Sequence, residues 1–555
     1  MRHGGKILVD QLVAQEVTRV FSVPGESFLA ALDGLYDSGI QNIVCRHEGG
    51  AAMMAEAQGK LTGKPGVLFV TRGPGATNAS AGIHVAKQDS TPMVVFVGQI
   101  ARPHRDREAF QEVDYRALFG PLAKWAAEVD QIERLPEYIS RAFHMATSGR
   151  PGPVVLALPE DMLSSVAQVA DLPAPAPRVP AVSAAQVGAV ADLLNTAQRP
   201  LVVVGGSQWS VSAARDLELF AAAWGLPVAV TFRRQDRMNN DHPNYCGDLG
   251  VGMNPKLGQR LTAADVVLVL GARLGDIATA GYHLLDPTRP GPRIVHIHPD
   301  PNELGRVFAP ALGVPVPAPE MVAALVAKPP AANRPAIWQA WADAARTDYE
   351  DWQRPLETPG AVKLERVVAW LAATLPHDSV LTNGAGNYAA FLHRYYRFRR
   401  YGTQLAPTSG SMGYGFPAAI AASLHHPDRT VVCMAGDGCF QMTLNEMSTA
   451  VQHGAKPIVI VANNGRYGTI RMHQERDYPA RVSGTDLTNP DFAALARAYG
   501  GHGETITDQA DFPAAFARAQ ASGSLAVIEL RLDPDMLTTG QTLAQMRAAG
   551  QARQG

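Results

Sequence analysis

The stretch VVCMAGDGCF, residues 431–440, is followed at 457–464 by PIVIVANN. Each opens on an uninterrupted apolar run and ends on polar residues or glycines. A run without polar alternation belongs to a strand covered on both faces, as in a parallel sheet flanked by helices. In open parallel sheets, ligands bind beyond the carboxyl ends of the strands, and GDG and NN stand at such ends. Gly436 and Gly438 allow a tight turn and close backbone approach. The segment CFQMTLNEMSTAVQHG (439–454) reads as one helix, apolar at Phe440, Leu444, Met447 and Val451 and stopped by Gly454. Its first N–H groups suit a phosphate. Asp437 offers an anionic oxygen and Asn464 a neutral amide oxygen, ligand types that suit a Mg²⁺ bridging to phosphates. No GxGxxG opens a strand–helix unit here, so a plain dinucleotide site fits poorly.

The same pattern extends over the chain. GVLFVT (66–71), MVVFVG (93–98), PVVLALP (153–159), PLVVVGG (200–206), DVVLVLGAR (265–273), RIVHIH (293–298) and LAVIELR (525–531) are short apolar runs separated by helix-length segments. This is α/β architecture. The Pro-rich stretches DLPAPAPRVPAVSAAQ (171–186) and KPPAANRPAIWQ (328–339) read as linkers. They divide the 555 residues into about 1–170, 187–327 and 340–555. With 49 Lys and Arg against 51 Asp and Glu, the net charge is −2, so no electrostatic nucleic-acid or membrane binder is expected. The four cysteines form no CxxC pair, which argues against a disulfide framework or zinc site. No signal peptide and no apolar run of about 18 residues is visible, and a cytoplasmic location is expected.

GDG and NN, with twenty-four residues between them, resemble the thiamin diphosphate motif of the acetolactate synthase-like enzymes. The resemblance runs over essentially the whole chain and is loosest in the middle. It implies three doubly wound parallel-sheet domains: pyrimidine-binding, Rossmann-like and diphosphate-binding. It implies that Asp437, Asn464 and the backbone carbonyl of Arg466 hold Mg²⁺, with Gly436, Gly438, Cys439 and Gly468 against the cofactor. RHEGGAAMMAEAQGKLTGKPGVLFVTRGPGATN (46–78) is similar to the family's pyrimidine-binding segment. By that likeness Glu48 is the catalytic carboxyl, hydrogen-bonded to the aminopyrimidine ring, and Gly73 and Pro74 lie beside the ring. In the family these two regions meet across a subunit interface, so a homodimer or homotetramer is implied.

Other segments follow the same resemblance. SGSMGYGFPAAI (409–420) places Met412 beneath the thiazolium, and GAGNY (384–388) places Asn387 by the diphosphate. AFQE (109–112) puts Phe110 and the catalytic candidate Gln111 in the substrate channel, with Lys124 and His473 also beside it. The expected activity is decarboxylation of a 2-oxo acid such as pyruvate and transfer of the acyl-anion equivalent to an acceptor. Two departures bear on the acceptor. Ile277 stands where acetolactate synthases carry an arginine that selects the incoming 2-oxo acid, and their channel tryptophan is missing near His473. An acceptor without a carboxylate, as in a 2-hydroxyacyl-CoA lyase or an aldehyde carboligase, is the alternative. A cofactor-binding protein without catalysis is a third. VVVGGSQWS (202–210) and RIVHIHPDPNELGR (293–306) resemble FAD-binding segments, residues 233–259 depart from the family's flavin-covering loop, and the same domain type can instead hold ADP, part of a CoA or nothing.

Overall fold

The computed structural model describes residues 1–174, 180–331, 337–536 and 538–554. Parts of both Pro-rich linker segments, 175–179 and 332–336, lie outside the described residues. Three six-stranded sheets carry the chain, and every neighbouring pair of strands in them is parallel. The first runs Gln41–Val44, Arg19–Ser22, Gly66–Val70, Met93–Gln99, Pro153–Pro159, Trp125–Glu128. The second runs Tyr245–Leu249, Val228–Thr231, Pro200–Val204, Val266–Leu270, Arg293–Ile297, Leu312–Val314. The third runs Gln404–Leu405, Val380–Asn383, Val431–Gly436, Ile458–Asn463, Ala526–Arg531, His502–Ile506.

Numbered in chain order within each sheet, the first and third share the order 2-1-3-4-6-5. The middle sheet has 3-2-1-4-5-6, the order of dinucleotide-binding folds. The apolar runs read from the sequence are the central strands, buried along their length, as at Gly66–Val70, Met93–Gln99 and Val431–Gly436. Among the described residues no helix is long and apolar enough to cross a membrane. The four cysteines are buried and free.

The first and third domains are joined through one helix, Glu48–Thr62. His47 caps its start, its Nδ1 accepting from the N–H of Gly49 at 3.0 Å, and Gly63 ends it in the left-handed conformation. Its buried face is made of small residues, including Gly50, Ala51, Ala52 and Ala55. That lets the backbone approach its neighbours closely: a Cβ on Gly66 would lie 1.8 Å from the carbonyl oxygen of Ala55. The helix packs on Gly415–His425, and one hydrophobic core spans both domains from Met54 and Leu68 to Phe416, Ile420 and Phe440.

One expected helix is broken. Residues 439–454 form Asp437–Gln441, a 3-10 turn Leu444–Glu446 and a second helix Met447–His453, capped by Gly454 at φ 70°. Thr443 interrupts the helix at φ −140°, and its Oγ1 donates to the carbonyl of Gly413 at 2.8 Å. This tertiary bond outweighs the helical periodicity. The helix beginning at Asp437 is therefore five residues long, too short for its dipole to carry a phosphate site.

A buried ionic cluster ties all three domains together. Lys60 pairs with Asp89, lies 3.1 Å from Glu56 and donates to the carbonyl of Ala406 at 2.9 Å. Tyr414 and Thr91 donate to the Glu56 carboxylate at 2.5 and 2.6 Å. Asp89 accepts from the N–H of Thr408 at 2.7 Å, and Arg234 of the middle domain donates to the carbonyl of Asp89 at 3.0 Å. Burial raises the Glu56 carboxyl above its ordinary range. Burial also disfavours the Asp89 carboxylate, but Lys60 and Arg234 outweigh it and hold that group low.

Replacing Lys60 by Met strands two buried acids beside each other. Breaking such a pair costs about 3–5 kcal/mol, so Lys60→Met should lose that much in a urea unfolding titration at pH 7. A loss below about 1 kcal/mol would show that the cluster is not a structural joint.

Candidate active site

The third sheet reverses its strand order between Val380–Asn383 and Val431–Gly436, and loops leaving such a pair diverge to open a crevice. A cavity of about 260 Å³ lies there. It is lined by Asn387, Met412, Gly436, Asp437, Gly438, Cys439, Asn464, Arg466 and Gly468, so residues 81 positions apart in the chain share one wall.

Asp437 is buried, 3% exposed. Its Oδ1 accepts from the N–H of Gly438 at 2.9 Å, and its Oδ2 accepts from the N–H of Gly465 at 2.9 Å and Asn489 Nδ2 at 2.7 Å. Burial pushes the carboxyl up, while these N–H donors act in the opposite sense. Among the described residues no cationic side chain forms an ion pair with it. A buried carboxylate solvated only by neutral donors is an environment a divalent cation would stabilise.

The two asparagines divide their work. Asn463 Oδ1 accepts from Asn489 Nδ2 at 2.9 Å and from the N–H of Gly465 at 3.1 Å, and its Nδ2 donates to Glu529 at 2.5 Å. Asn464 lines the cavity instead. Glycine is required on both sides of Asp437, because a Cβ on Gly436 would lie 2.9 Å from the Tyr388 ring and one on Gly438 would lie 2.6 Å from the Tyr467 ring. Tyr388 in turn donates to Cys439 Sγ at 3.2 Å. Asn387 accepts from Thr469 Oγ1 at 3.0 Å, which fixes it to the helix Gly468–Asp477. An acid, an amide and a glycine-lined wall suit a metal-bound diphosphate.

A second group forms in the first domain. Glu48, 9% exposed, begins its helix, and Asn78 Nδ2 donates to its Oε2 at 3.0 Å. Gly73 has φ 60° and a Cβ there would lie 2.7 Å from that of Gln111, which itself has φ 64°. Pro74 starts the helix Pro74–Asp89, and a Cβ on Gly75 would sit 3.2 Å from Glu48 Oε1. Glu48, Gly73, Pro74 and Gln111 are thus gathered, but no first-domain residue lines the Asp437 cavity of the same chain.

The channel candidates sit elsewhere. Phe110 is 74% exposed. Lys124 donates to the carbonyls of Met145 and Ser148 at 2.5 and 2.7 Å, closing the end of the helix Leu135–Thr147, and burial lowers its pKa to about 8. His473 lies on Gly468–Asp477, outside the cavity lining.

At the switch point of the middle sheet lies a second pocket of about 310 Å³. Gly206, Ser207 and Gln208 from the first FAD-like segment line it, as do His298, Glu303 and Arg306 from the second. Ile277 also lies there, with Arg150, Arg234 and Arg273. Thr408 reaches this pocket from the third domain, and Gly410 and Met412 of the same loop line the Asp437 cavity.

Sequence reasoning missed Asn489, which lies 52 residues beyond Asp437 without a recognisable motif. It also missed the residues that precede the C-terminal tail. Leu532, Asp533 and Met536 line the cavity, and the helix Leu543–Gln554 packs on Gly468–Asp477. Arg547 clamps the buried Glu475 carboxylate with bonds of 2.8 and 2.5 Å. A Cβ on Gly550 would lie 2.7 Å from the Glu475 carbonyl oxygen, so the two helices nearly touch.

Three family descriptions match the chain: thiamine pyrophosphate enzyme N-terminal TPP binding domain at residues 2–118, central domain at 187–325 and C-terminal TPP binding domain at 384–530. Acetolactate synthase isozyme 2 large subunit of Escherichia coli (strain K12) is 32% identical over 91% of each chain. The mitochondrial acetolactate synthase catalytic subunit of Saccharomyces cerevisiae is 30% identical over 96% of this chain and 80% of its own. The solved structure of Rhodococcus jostii RHA1 thiamine diphosphate-dependent 4-hydroxybenzoylformate decarboxylase is 25% identical, with a TM-score of 0.82 over 96% of this chain and 99% of that one.

The Arg547 bond holds the Glu475 carboxyl below its ordinary value of 4.5. Its contribution to docking the tail is therefore complete above that pH and is lost as pH falls through the folded-state value. Arg547→Ala should make the tail after Leu532 protease-sensitive at pH 7, and the wild type should become so only in acid. Equal protection of both proteins at pH 7 would rule out the clamp.

Proposed function

The chain belongs to the thiamine pyrophosphate-dependent enzymes of the acetolactate synthase-like family, and from that premise we propose that it decarboxylates a 2-oxo acid such as pyruvate and transfers the acyl-anion equivalent to an acceptor. The observation that carries this is the convergence of Asp437, Asn464 and Arg466 with Asn387, Gly468 and Met412 on one cavity. Thiamin diphosphate, when bound, supplies the electron sink for a carbon–carbon bond made or broken beside a carbonyl. Asp437, Asn464 and the carbonyl of Arg466 would hold Mg²⁺ and, through it, the diphosphate. Gly436 and Gly438 would leave room for the diphosphate, and Met412 would support the thiazolium.

Glu48 is the acid–base group in this reading. Asn78 engages Oε2, leaving Oε1, beside Gly75, to carry the proton exchanged with the aminopyrimidine. The Glu48 group and the Asp437 cavity do not meet within one chain, so two copies would pair, the Glu48 group of one closing the cavity of the other. In the middle domain, the 3-2-1-4-5-6 sheet and the switch-point pocket favour a flavin or another adenine nucleotide.

A second reading rests on the middle pocket. Arg150, Arg234, Arg273 and Arg306 outnumber Asp89, Asp276 and Glu303 in its lining, with Glu303 paired to Arg150 and Arg306, and Ile277 supplies no charge. That lining favours the phosphates of an acyl-CoA and a 2-hydroxyacyl-CoA lyase reaction. Purified protein incubated with thiamin diphosphate, Mg²⁺ and pyruvate should form acetolactate, and removal of Mg²⁺ by a chelator should stop it. No acetolactate, but cleavage of a 2-hydroxyacyl-CoA to an aldehyde, would select the second reading.

Glu48→Gln should retain thiamin diphosphate, read by isothermal titration, and lose about 100-fold or more in turnover, at the lower end of what acid–base groups contribute. Undiminished turnover would exclude Glu48 from the chemistry.

A further inference from the structure

The turn leading into Glu48 is held from the third domain as well as from its own. Three side chains, Glu446, Gln452 and His453, make that hold. Glu446, fully buried at the junction between the 3-10 turn and the helix Met447–His453, accepts from the N–H of His47 at 2.9 Å and from the N–H of Arg46 at 3.2 Å. Its second oxygen also accepts from Thr449 Oγ1 at 2.6 Å, which fixes the carboxylate's orientation. About two turns further on, His453 Nε2 accepts from the N–H of Val44 at 3.0 Å, and Gln452 accepts from Arg46 Nη2 at 2.5 Å. The pairs with Val44, Arg46 and His47 join residues about 400 apart in sequence.

The fit is close. A Cβ on Gly50 would come within 2.5 Å of Glu446 Oε1, so glycine at that position makes room for the carboxylate. Burial pushes the Glu446 carboxyl up, against the hydrogen bonds of Thr449, Arg46 and His47. Strand-end N–H groups that a loop would normally leave to water are here satisfied by a carboxylate from another domain.

We propose that Glu446 is a positioning residue: through the N–H groups of Arg46 and His47 it sets where the Glu48 carboxyl points. This rests on the reading of Glu48 as the acid–base group. The geometry carries a further consequence. Glu446 lies nine residues after Asp437 on the same continuous segment, while Glu48 does not reach the cavity of its own chain. In the paired enzyme, the segment that holds the metal of one site therefore also orients the carboxyl that serves the other.

The test uses the full-length protein with Glu446→Ala, Glu446→Gln and Glu48→Gln. In the protein without added cofactor, amide hydrogen exchange read by mass spectrometry over residues 44–50 should speed up at least tenfold in Glu446→Ala. A displacement of about 1 Å in a catalytic group costs on the order of 100-fold in rate. The kcat of Glu446→Ala should accordingly fall about 10–100-fold, with KM and thiamin diphosphate affinity unchanged within threefold. Glu446→Gln, which keeps one acceptor for His47, should recover part of both effects. In a Glu48→Gln background Glu446→Ala should cost nothing further.

Faster exchange with an unchanged kcat would overturn the proposal. So would a loss of kcat that tracks cofactor affinity and thermal stability together, or a penalty that adds fully to that of Glu48→Gln. If Glu446→Ala does not fold, Glu446→Gln is read against the same criteria at smaller amplitude. If Glu48→Gln alone leaves turnover intact, the functional reading fails and this proposal fails with it. Faster exchange in Glu446→Ala would then show the clamp itself to be real, which tells the two failures apart.

Discussion

A carboxylate taken out of water must be matched by charge or by dipoles, and Asp437 is matched by dipoles alone. Much of the third domain follows from that constraint. Gly438 and Gly465 turn their N–H groups inward, and Asn489 is brought across from 52 residues away to add another donor. Asn463 is pulled off the cavity to hold Asn489, which leaves Asn464 facing the opening. The site is thus a negative charge held by neutral groups, an environment that a divalent cation would stabilise. That is the electrostatic form expected of a metal–diphosphate site, and it distinguishes this acid from Asp89 and Glu475, whose charges are met inside the protein by Lys60 and Arg547.

The sheets explain why the half-sites lie where they do. The first and third share one strand order, so their loops open at equivalent places. Gly73 and Asp437 both follow the third strand of their sheet, and Glu48 follows the second strand of the first. One topology has been furnished with two groups: a buried carboxylate ringed by N–H donors in one copy and an acid beside a glycine-rich turn in the other. The small-residue helix Glu48–Thr62 then locks the two copies into one core.

What the sequence makes legible is what is local. Central strands announce themselves because burial on both faces forces continuous apolar runs. GDG and NN are legible because glycine and side-chain oxygens at strand ends have few other uses. Shorter strands such as Gln41–Val44 and Trp125–Glu128, with partly exposed residues, leave no such run and were not seen. The helix over 439–454 misled because its periodicity is sound, and only the distant Gly413 carbonyl breaks it at Thr443. Glu446, Asn489 and the Lys60 cluster are illegible for the same reason: each acquires its meaning from a residue dozens to hundreds of positions away. Lys124 illustrates the converse, since its placement in the channel came from likeness while its visible bonds close a helix end.

The loop from Ala406 to Gly413 has little slack. Lys60 grips its first carbonyl, Arg233 the next at Pro407, Asp89 holds Thr408, and Thr443 binds the carbonyl of Gly413. Thr408 forms part of one pocket while Met412, four residues on, forms part of another. The two pockets are therefore tied to one short stretch of chain. A lineage that remodels the middle pocket is not editing a separable module: a change that shifts Thr408 is passed along four residues to Met412, so the shapes of the two pockets are bound to evolve as a pair.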